Sequence, residues 1–193
     1  MDKLYKSFIE YQNLLDKEFH YKFKNRFKFK LIFKPENLPH LLGLHKLKDI
    51  EILNKFNTKE IAADVIYKKI ENKDLTSKII EKSAFYHKIE SRLIYFRELN
   101  ELVTKNNFLR FSKDKTEDGT LMKAEFIVYS LKNGKYIHLF IGKGARFYYP
   151  ETFIIDDTDY YIKQQSEFKI KDIKVNFKYE DNDAMREVAV TRV

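Results

Sequence analysis

The run AEFIVYSLKNGKYIHLFIGKG, residues 124–144, constrains the fold more than any other stretch. Two β-rich segments flank Asn133-Gly134, a pair that readily takes the left-handed backbone of a type I′ turn. An antiparallel hairpin follows. A second periodic run lies upstream. Phe27, Phe29, Leu31 and Phe33 alternate with Arg26, Lys28 and Lys30, and Lys34 continues the basic series. A period of two predicts a strand with one buried face, and Asn25 a turn that makes residues 19–33 a short hairpin. Two further strands are expected in RFYYPETFII, residues 146–155, and FKIKDIKVNFKY, residues 168–179.

Between these runs the period changes to that of a helix. Leu4, Phe8, Tyr11 and Leu15 form one stripe over residues 3–17. Residues 59–72 and 77–103 also read as helices, the second with Ile80, Ala84, His87, Ser91, Ile94 and Leu99 near one stripe. A short helical segment, ENLPHLLGL, carries Pro39 just after Pro35 and stops at Gly43. The order of helix, strand, helices and then several strands predicts the α+β class. No βαβ alternation, dinucleotide fingerprint or P-loop occurs. The expected organisation is an N-terminal helix over 1–18, one domain over 19–178 and a weakly patterned tail over 179–193. The polar loop at 113–119 is expected to be mobile.

The 193 residues are 44% apolar and 34% charged, enough for one globular domain with a substantial core. Lys and Arg number 37 against 29 Asp and Glu, a net charge of +8. That excess favours a polyanionic partner, nucleic acid before an anionic membrane, although a lysine-rich background composition explains it equally well. The absence of cysteine excludes disulfides, thiolate zinc sites and cysteine nucleophiles. No signal-peptide core or membrane-spanning run appears, so the expected location is cytoplasmic.

Four features carry candidate chemistry. Arg26, Lys28, Lys30 and Lys34 are candidate phosphate contacts, set against a solvated strand face whose lysines discourage aggregation. Lys46 joins them as a candidate. His40 and His45 are candidate proton-transfer groups, set against one surface and one capping histidine. Their spacing of five does not suit a metal, and no HExxH motif occurs. His20, His87 and His138 read as structural. In IGKGARFYYP, residues 141–150, Gly142 and Gly144 would let backbone amides approach an anion beside Lys143 and Arg146. Tyr148 and Tyr149 would stack on a base or donate to a phosphate, and the alternative is a plain strand-to-strand loop. Asp156, Asp157 and Asp159 read as a solvated turn in preference to a magnesium site.

The segment FKPENLPHLLGLHKL and the run YIHLFIGKGARFYYPETFIIDDTDYYIKQQ together resemble the phage-associated PBECR4 domain. That family is grouped with nucleases like barnase, EndoU, colicins E5 and D, and RelE. The resemblance covers residues 20–175, and Leu38-Pro39-His40-Leu41-Leu42-Gly43 is its most specific part. It implies N-terminal helices packed on an antiparallel sheet of four to five strands. It implies a metal-independent, cofactor-free endoribonuclease, deployed as a phage-borne or anti-phage toxin, that cleaves tRNA or mRNA and has an antitoxin or immunity protein as a possible partner. The 2′-hydroxyl would attack phosphorus, leaving a 2′,3′-cyclic phosphate. In those terms His40 is general base or acid and His45 the second candidate. Lys143 and Arg146 would stabilise the phosphorane, Tyr148 would orient or stack, and Tyr160 and Gln164 would line the same face. No carboxylate is assigned as base. The alternatives are a nucleic-acid-binding member without catalysis and a protein-interaction module.

Overall fold

The computed structural model describes residues 2–115 and 123–178. Part of the 113–119 loop and all of the 179–193 tail lie outside the described residues. The chain is α+β, as its periodicities predict. Helix α1 (Lys3–Leu15) leads into a hairpin of β1 (Lys17–Phe23) and β2 (Lys28–Ile32). The helices α2 (Asn37–Leu41), α3 (Glu51–Asn57), α4 (Ala63–Glu71), α5 (Ser77–Ile80), α6 (Glu90–Tyr95) and α7 (Glu98–Leu102) follow. The strands β3 (Phe108–Arg110), β4 (Ala124–Lys132), β5 (Lys135–Lys143), β6 (Tyr148–Asp156), β7 (Ser166–Glu167) and β8 (Ile170–Phe177) complete the fold.

All eight strands form one sheet in the order β7-β3-β4-β5-β6-β2-β1-β8. This corrects the expectation of four to five strands. The strands without any periodic signal are the very short β3 and β7, and the β1–β2 hairpin and β8 join the same sheet beside β6. The sheet is also not purely antiparallel, because β2 meets β6 in parallel at Leu31 and Tyr148. The basic strand is therefore interior and not an edge.

The sheet curls until its two ends meet. Its end strands β7 and β8 are consecutive in the chain, and residues 168–169 bridge them. The Phe168 amide donates to the Phe108 carbonyl at 2.8 Å, and the Lys24 amide to the Lys169 carbonyl at 3.0 Å. Inside the curl lies an aromatic cluster. Phe23 contacts Phe168 at 4.5 Å between ring centroids, and Phe126 contacts Phe29 and Phe168 at 5.2 Å each. The alternation of residues 27–33 places Phe29, Leu31 and Phe33 in this core. Leu4, Phe8, Tyr11 and Leu14 of α1 belong to the same core, with Leu14 taking the place expected for Leu15.

Both turns follow the local sequence. Asn133 and Gly134 have φ of 51° and 72°, as a type I′ turn needs. At the β1–β2 turn Arg26 has φ of 70°, and the Asn25 side chain accepts from the Phe27 amide at 3.1 Å. The expected helix over 77–103 is broken into α5, a 3₁₀ turn at Tyr86–Lys88, α6 and α7. The cause is the Asp49 carboxylate. It accepts from the Ser83 hydroxyl at 2.5 Å and from the Ala84 amide at 2.8 Å. A side-chain acceptor for a backbone amide offers the chain an alternative to helix. As a result His87 is exposed on the 3₁₀ turn and has no place on a buried stripe. No helix among the described residues is long and apolar enough to cross a membrane.

The two faces of β5 diverge. Ile137, Leu139 and Ile141 join the main core, while Phe140 packs with Phe111, Ile127 and Tyr161 in a second, smaller one. His138 is fully buried on that second face, with its ring 5.5 Å from Tyr161.

Two outcomes follow. Phe23→Ala empties the centre of the aromatic cluster and should cost about 3–5 kcal/mol in denaturant unfolding. Burial pushes His138 down to about 4, against the Ile154 backbone and Asp156. It is neutral when folded, whereas the unfolded chain protonates near 6.5. Its contribution is complete above about pH 6.5 and is lost as pH falls toward 4, where the penalty is on the order of 3 kcal/mol. His138→Phe should flatten the fall in unfolding free energy over that window.

Candidate active site

The parallel contact of β2 with β6 carries the chain that follows β2 onto β6. Helix α2 packs there, with Leu38, Pro39 and Leu41 buried beneath it and His40 at the surface. Pro39 falls within the first turn, where a missing amide costs no helical bond. Gly43, at φ 74°, then reverses the chain into a 3₁₀ turn, Leu44–Lys46. A side chain at Gly43 would meet Arg92 Nη1 and Ile89 Cγ2, each at 3.2 Å. The LPHLLG motif is thus a short helix and a left-handed stop wrapped over an arginine.

This turn brings the two histidines together. The His40 and His45 ring centroids lie 6.0 Å apart, and the Phe56 ring packs 4.9 Å from His40. Burial lowers the His40 pKa, and the negative charge of Glu151 on β6 opposes it. Burial also pushes His45 down to about 4, reinforced by the positive charges of His40, Arg92, Lys46 and Lys48. The His45 Nδ1 atom is buried with no hydrogen-bond partner. Glu151 further faces Tyr149, whose phenol burial and this carboxylate push up. Tyr149 lies against Gly142, where a Cβ would come within 2.7 Å of its ring. The glycine pair of residues 142–144 is therefore used by neighbours. Gly142 makes room for the Tyr149 ring, and the Gly144 amide donates to the Phe147 carbonyl at 3.0 Å. The structure assigns neither glycine to an anion cradle.

Beneath the turn lies Arg92, only 5% exposed. Its Nη1 donates to the Leu41 carbonyl at 3.0 Å. Burial pushes its pKa down to about 10, and Lys46 falls to about 8 through burial and the charges of Arg92 and Lys88. No carboxylate among the described residues forms an ion pair with Arg92, Lys46 or His45.

The other expected residues lie elsewhere. Alternation along β6 turns Tyr148 to the face opposite Tyr149. Tyr148 donates to Glu125 at 3.0 Å, is pushed up to about 12 by burial and that carboxylate, and packs its ring, tilted, 4.4 Å from that of Phe29. Glu125 also pairs with Arg110 at 3.6 Å and Lys143 at 4.0 Å. Lys143 and Tyr148 thus belong to a second, charge-compensated group. Arg146 is exposed on the intervening turn. Tyr160 and Gln164 line a shallow surface pocket with Asp114, Lys115, Thr158, Asp159 and Lys163, and Lys115 donates to the Gln164 carbonyl at 3.0 Å.

On the outer face of the basic hairpin, Lys28 is exposed opposite Lys22, and Lys30 bonds to Glu18 at 3.0 Å. Lys34 pairs with Glu36 and covers the Phe147 ring, while Arg26 sits in the turn. Asp156 accepts from the Thr158 amide and hydroxyl, and Asp157 pairs with Lys135, as befits a turn.

The histidine turn sits where the LPHLLG motif placed it, on a mixed helical and β scaffold. The model of one family, described as phage-Barnase-EndoU-ColicinE5/D-RelE like nuclease4, matches residues 3–187. The chain belongs to this PBECR4 family. The match runs from α1 through β8 and so takes in more than the 20–175 that the motifs cover. The family description points to a nuclease, hence to an enzyme. No curated protein and no solved structure gives a significant match.

Three PBECR4 residues at the site escaped sequence reasoning. Glu151 and Arg92 sit far from the histidines along the chain, and Lys88 lies on a 3₁₀ turn in a stretch whose period predicts continuous helix. The only local signal was the bare charge of Arg92 within an apolar stretch. Glu151→Gln should lower the His40 titration midpoint further, because it removes the charge that supports the imidazolium. An NMR pH titration of the His40 ring in both proteins measures it, and an unchanged midpoint would separate the two residues.

Proposed function

We propose that this PBECR4 protein is a metal-independent endoribonuclease, used as a phage-related or anti-phage toxin. The observation that carries the reading is the pair of imidazoles 6.0 Å apart, with a carboxylate beside one and uncompensated cations beside the other. Transesterification of RNA needs one group to accept the 2′-hydroxyl proton and another to protonate the leaving oxygen. His45 is neutral above about pH 4 and serves as the base. His40 is assigned as the acid, because Glu151 opposes the burial that lowers its pKa and is the one carboxylate among the described residues favouring its charged form. The 2′-oxygen bonds to phosphorus, the bond from phosphorus to the 5′-oxygen breaks, and His40 supplies that oxygen with its proton. A 2′,3′-cyclic phosphate and a 5′-hydroxyl result, and no metal enters the balance.

Tyr149, whose hydroxyl bonds to Glu151, would turn to donate to a non-bridging oxygen, and Arg146 on the adjoining turn would supply charge to the phosphorane. Lys28 and the neighbouring Lys22 offer a backbone track on the outer sheet face. Lys143 and Tyr148, both engaged by Glu125, hold the β5–β6 end in shape in this reading.

Labelled single-stranded RNA and total tRNA incubated with the protein in EDTA test the reading. Wild type should leave cyclic-phosphate ends, and His40→Ala should slow cleavage by at least about 100-fold. Cleavage that persists in His40→Ala would remove the histidine pair from catalysis. Absence of cleavage in EDTA, Mg²⁺ and Mn²⁺ alike would favour a protein that binds nucleic acid without cutting it.

A further inference from the structure

Arg92 presents an unusual balance of charge. A guanidinium carries five N–H donors and a permanent charge, and taking it out of water is costly unless it is paired. Here the side chain is almost fully buried, yet its one hydrogen bond to a described residue goes to the Leu41 carbonyl. The groups around it add positive charge. Lys46 and His45 follow Gly43 on the turn that wraps it, and Lys88 lies on the 3₁₀ turn that leads into its helix. Arg92 and Lys88 both act on Lys46, and Arg92 and Lys46 both act on His45. The opposing groups are few. Tyr161 faces Arg92, and Glu151 faces His40 on the far side of the pair. The buried, unpartnered Nδ1 of His45 adds a polar atom without a protein ligand.

By contrast, the cations at the opposite face of β6 share Glu125, and Lys132 and Arg97 share the buried Glu98. Those cations are more exposed and have carboxylates, and part-buried Lys178 donates to two backbone carbonyls, of Leu15 and Phe33. At Arg92 the fold leaves the charge open.

We infer that Lys46, Lys88 and His45, backed by the buried Arg92, form a phosphate subsite beside the Gly43 turn, which seats a backbone phosphate of the RNA. The assignment to RNA rests on the nuclease reading, and the phosphate chemistry does not. An entering anion neutralises the charges that hold His45 down, so ligand binding and proton affinity are linked. His45 with a midpoint near 4 is a feeble base at neutral pH. With the pocket filled it becomes a competent one. The substrate thereby tunes the base that takes its 2′-hydroxyl proton.

The test is an NMR titration of the His45 ring in the whole protein, with inorganic phosphate in one arm and an uncleavable 2′-deoxy oligonucleotide in the other. Both should raise the His45 midpoint by about 1 to 3 pH units. In the Lys46→Gln/Lys88→Gln double variant, whose changes lie toward the surface, phosphate affinity should fall by about tenfold or more. An unmoved His45 in both arms, or unchanged affinity in the double variant, overturns the subsite. A response to phosphate alone overturns its assignment to RNA. A response to the oligonucleotide in a protein that cleaves no RNA retains the subsite and removes the nuclease reading.

Discussion

One parallel bridge, between Leu31 and Tyr148, joins the strand ladders of two sub-sheets that share a single aromatic core. On one side stand β8, β1 and β2. On the other stand β6, β5, β4, β3 and β7. The histidines follow β2 in the chain, and Tyr149 and Glu151 follow Tyr148. The approach of Tyr149 and Glu151 to the histidine turn depends on that one register. Side chains alternate along a strand, so a slip of one residue would exchange Tyr148 with Tyr149. Glu125 would lose its phenol, and the ring that rests on Gly142 would turn into the aromatic core.

The charges on the two sides of β6 are balanced in different ways. Around Glu125, each cation and the tyrosine have a carboxylate to share. Such a network holds strand ends together. Around Arg92 the protein gives back a single carbonyl oxygen. Burying an open charge works against stability, and proteins keep such arrangements where a ligand or a reaction uses them.

Local periodicity disclosed much of this fold. The Asn133-Gly134 hairpin, the turn at Asn25 and the buried faces of α1 and β2 all follow from neighbours in the chain. His40 and His45 were likewise visible, because one short motif holds both. The strand count was not visible, since β3 and β7 span three and two residues and carry no period. Nor was the break in the 77–103 helix, which depends on Asp49 more than thirty residues earlier. Glu151 and Arg92 reach the histidines only through the parallel bridge and the packing of α6, and no spacing rule encodes either. Gly142 and Gly144 illustrate the converse. Their spacing suggested an anion loop, whereas one glycine yields to a tyrosine ring and the other closes a turn.

The closure of the sheet also bears on how the chain acquires its shape. Strand β1 begins at Lys17 and finds its outer partner at Phe177, so the pairing spans most of the chain. Loop closure of that length slows folding and leaves an edge unpaired until the last strand arrives. During synthesis the β1–β2 hairpin must wait, with its aromatic face uncovered, for β6 and then β8 to leave the ribosome. The histidines that follow β2 and the β6 half of the candidate site therefore meet only after β6 has been made, and the arrangement is among the late products of folding.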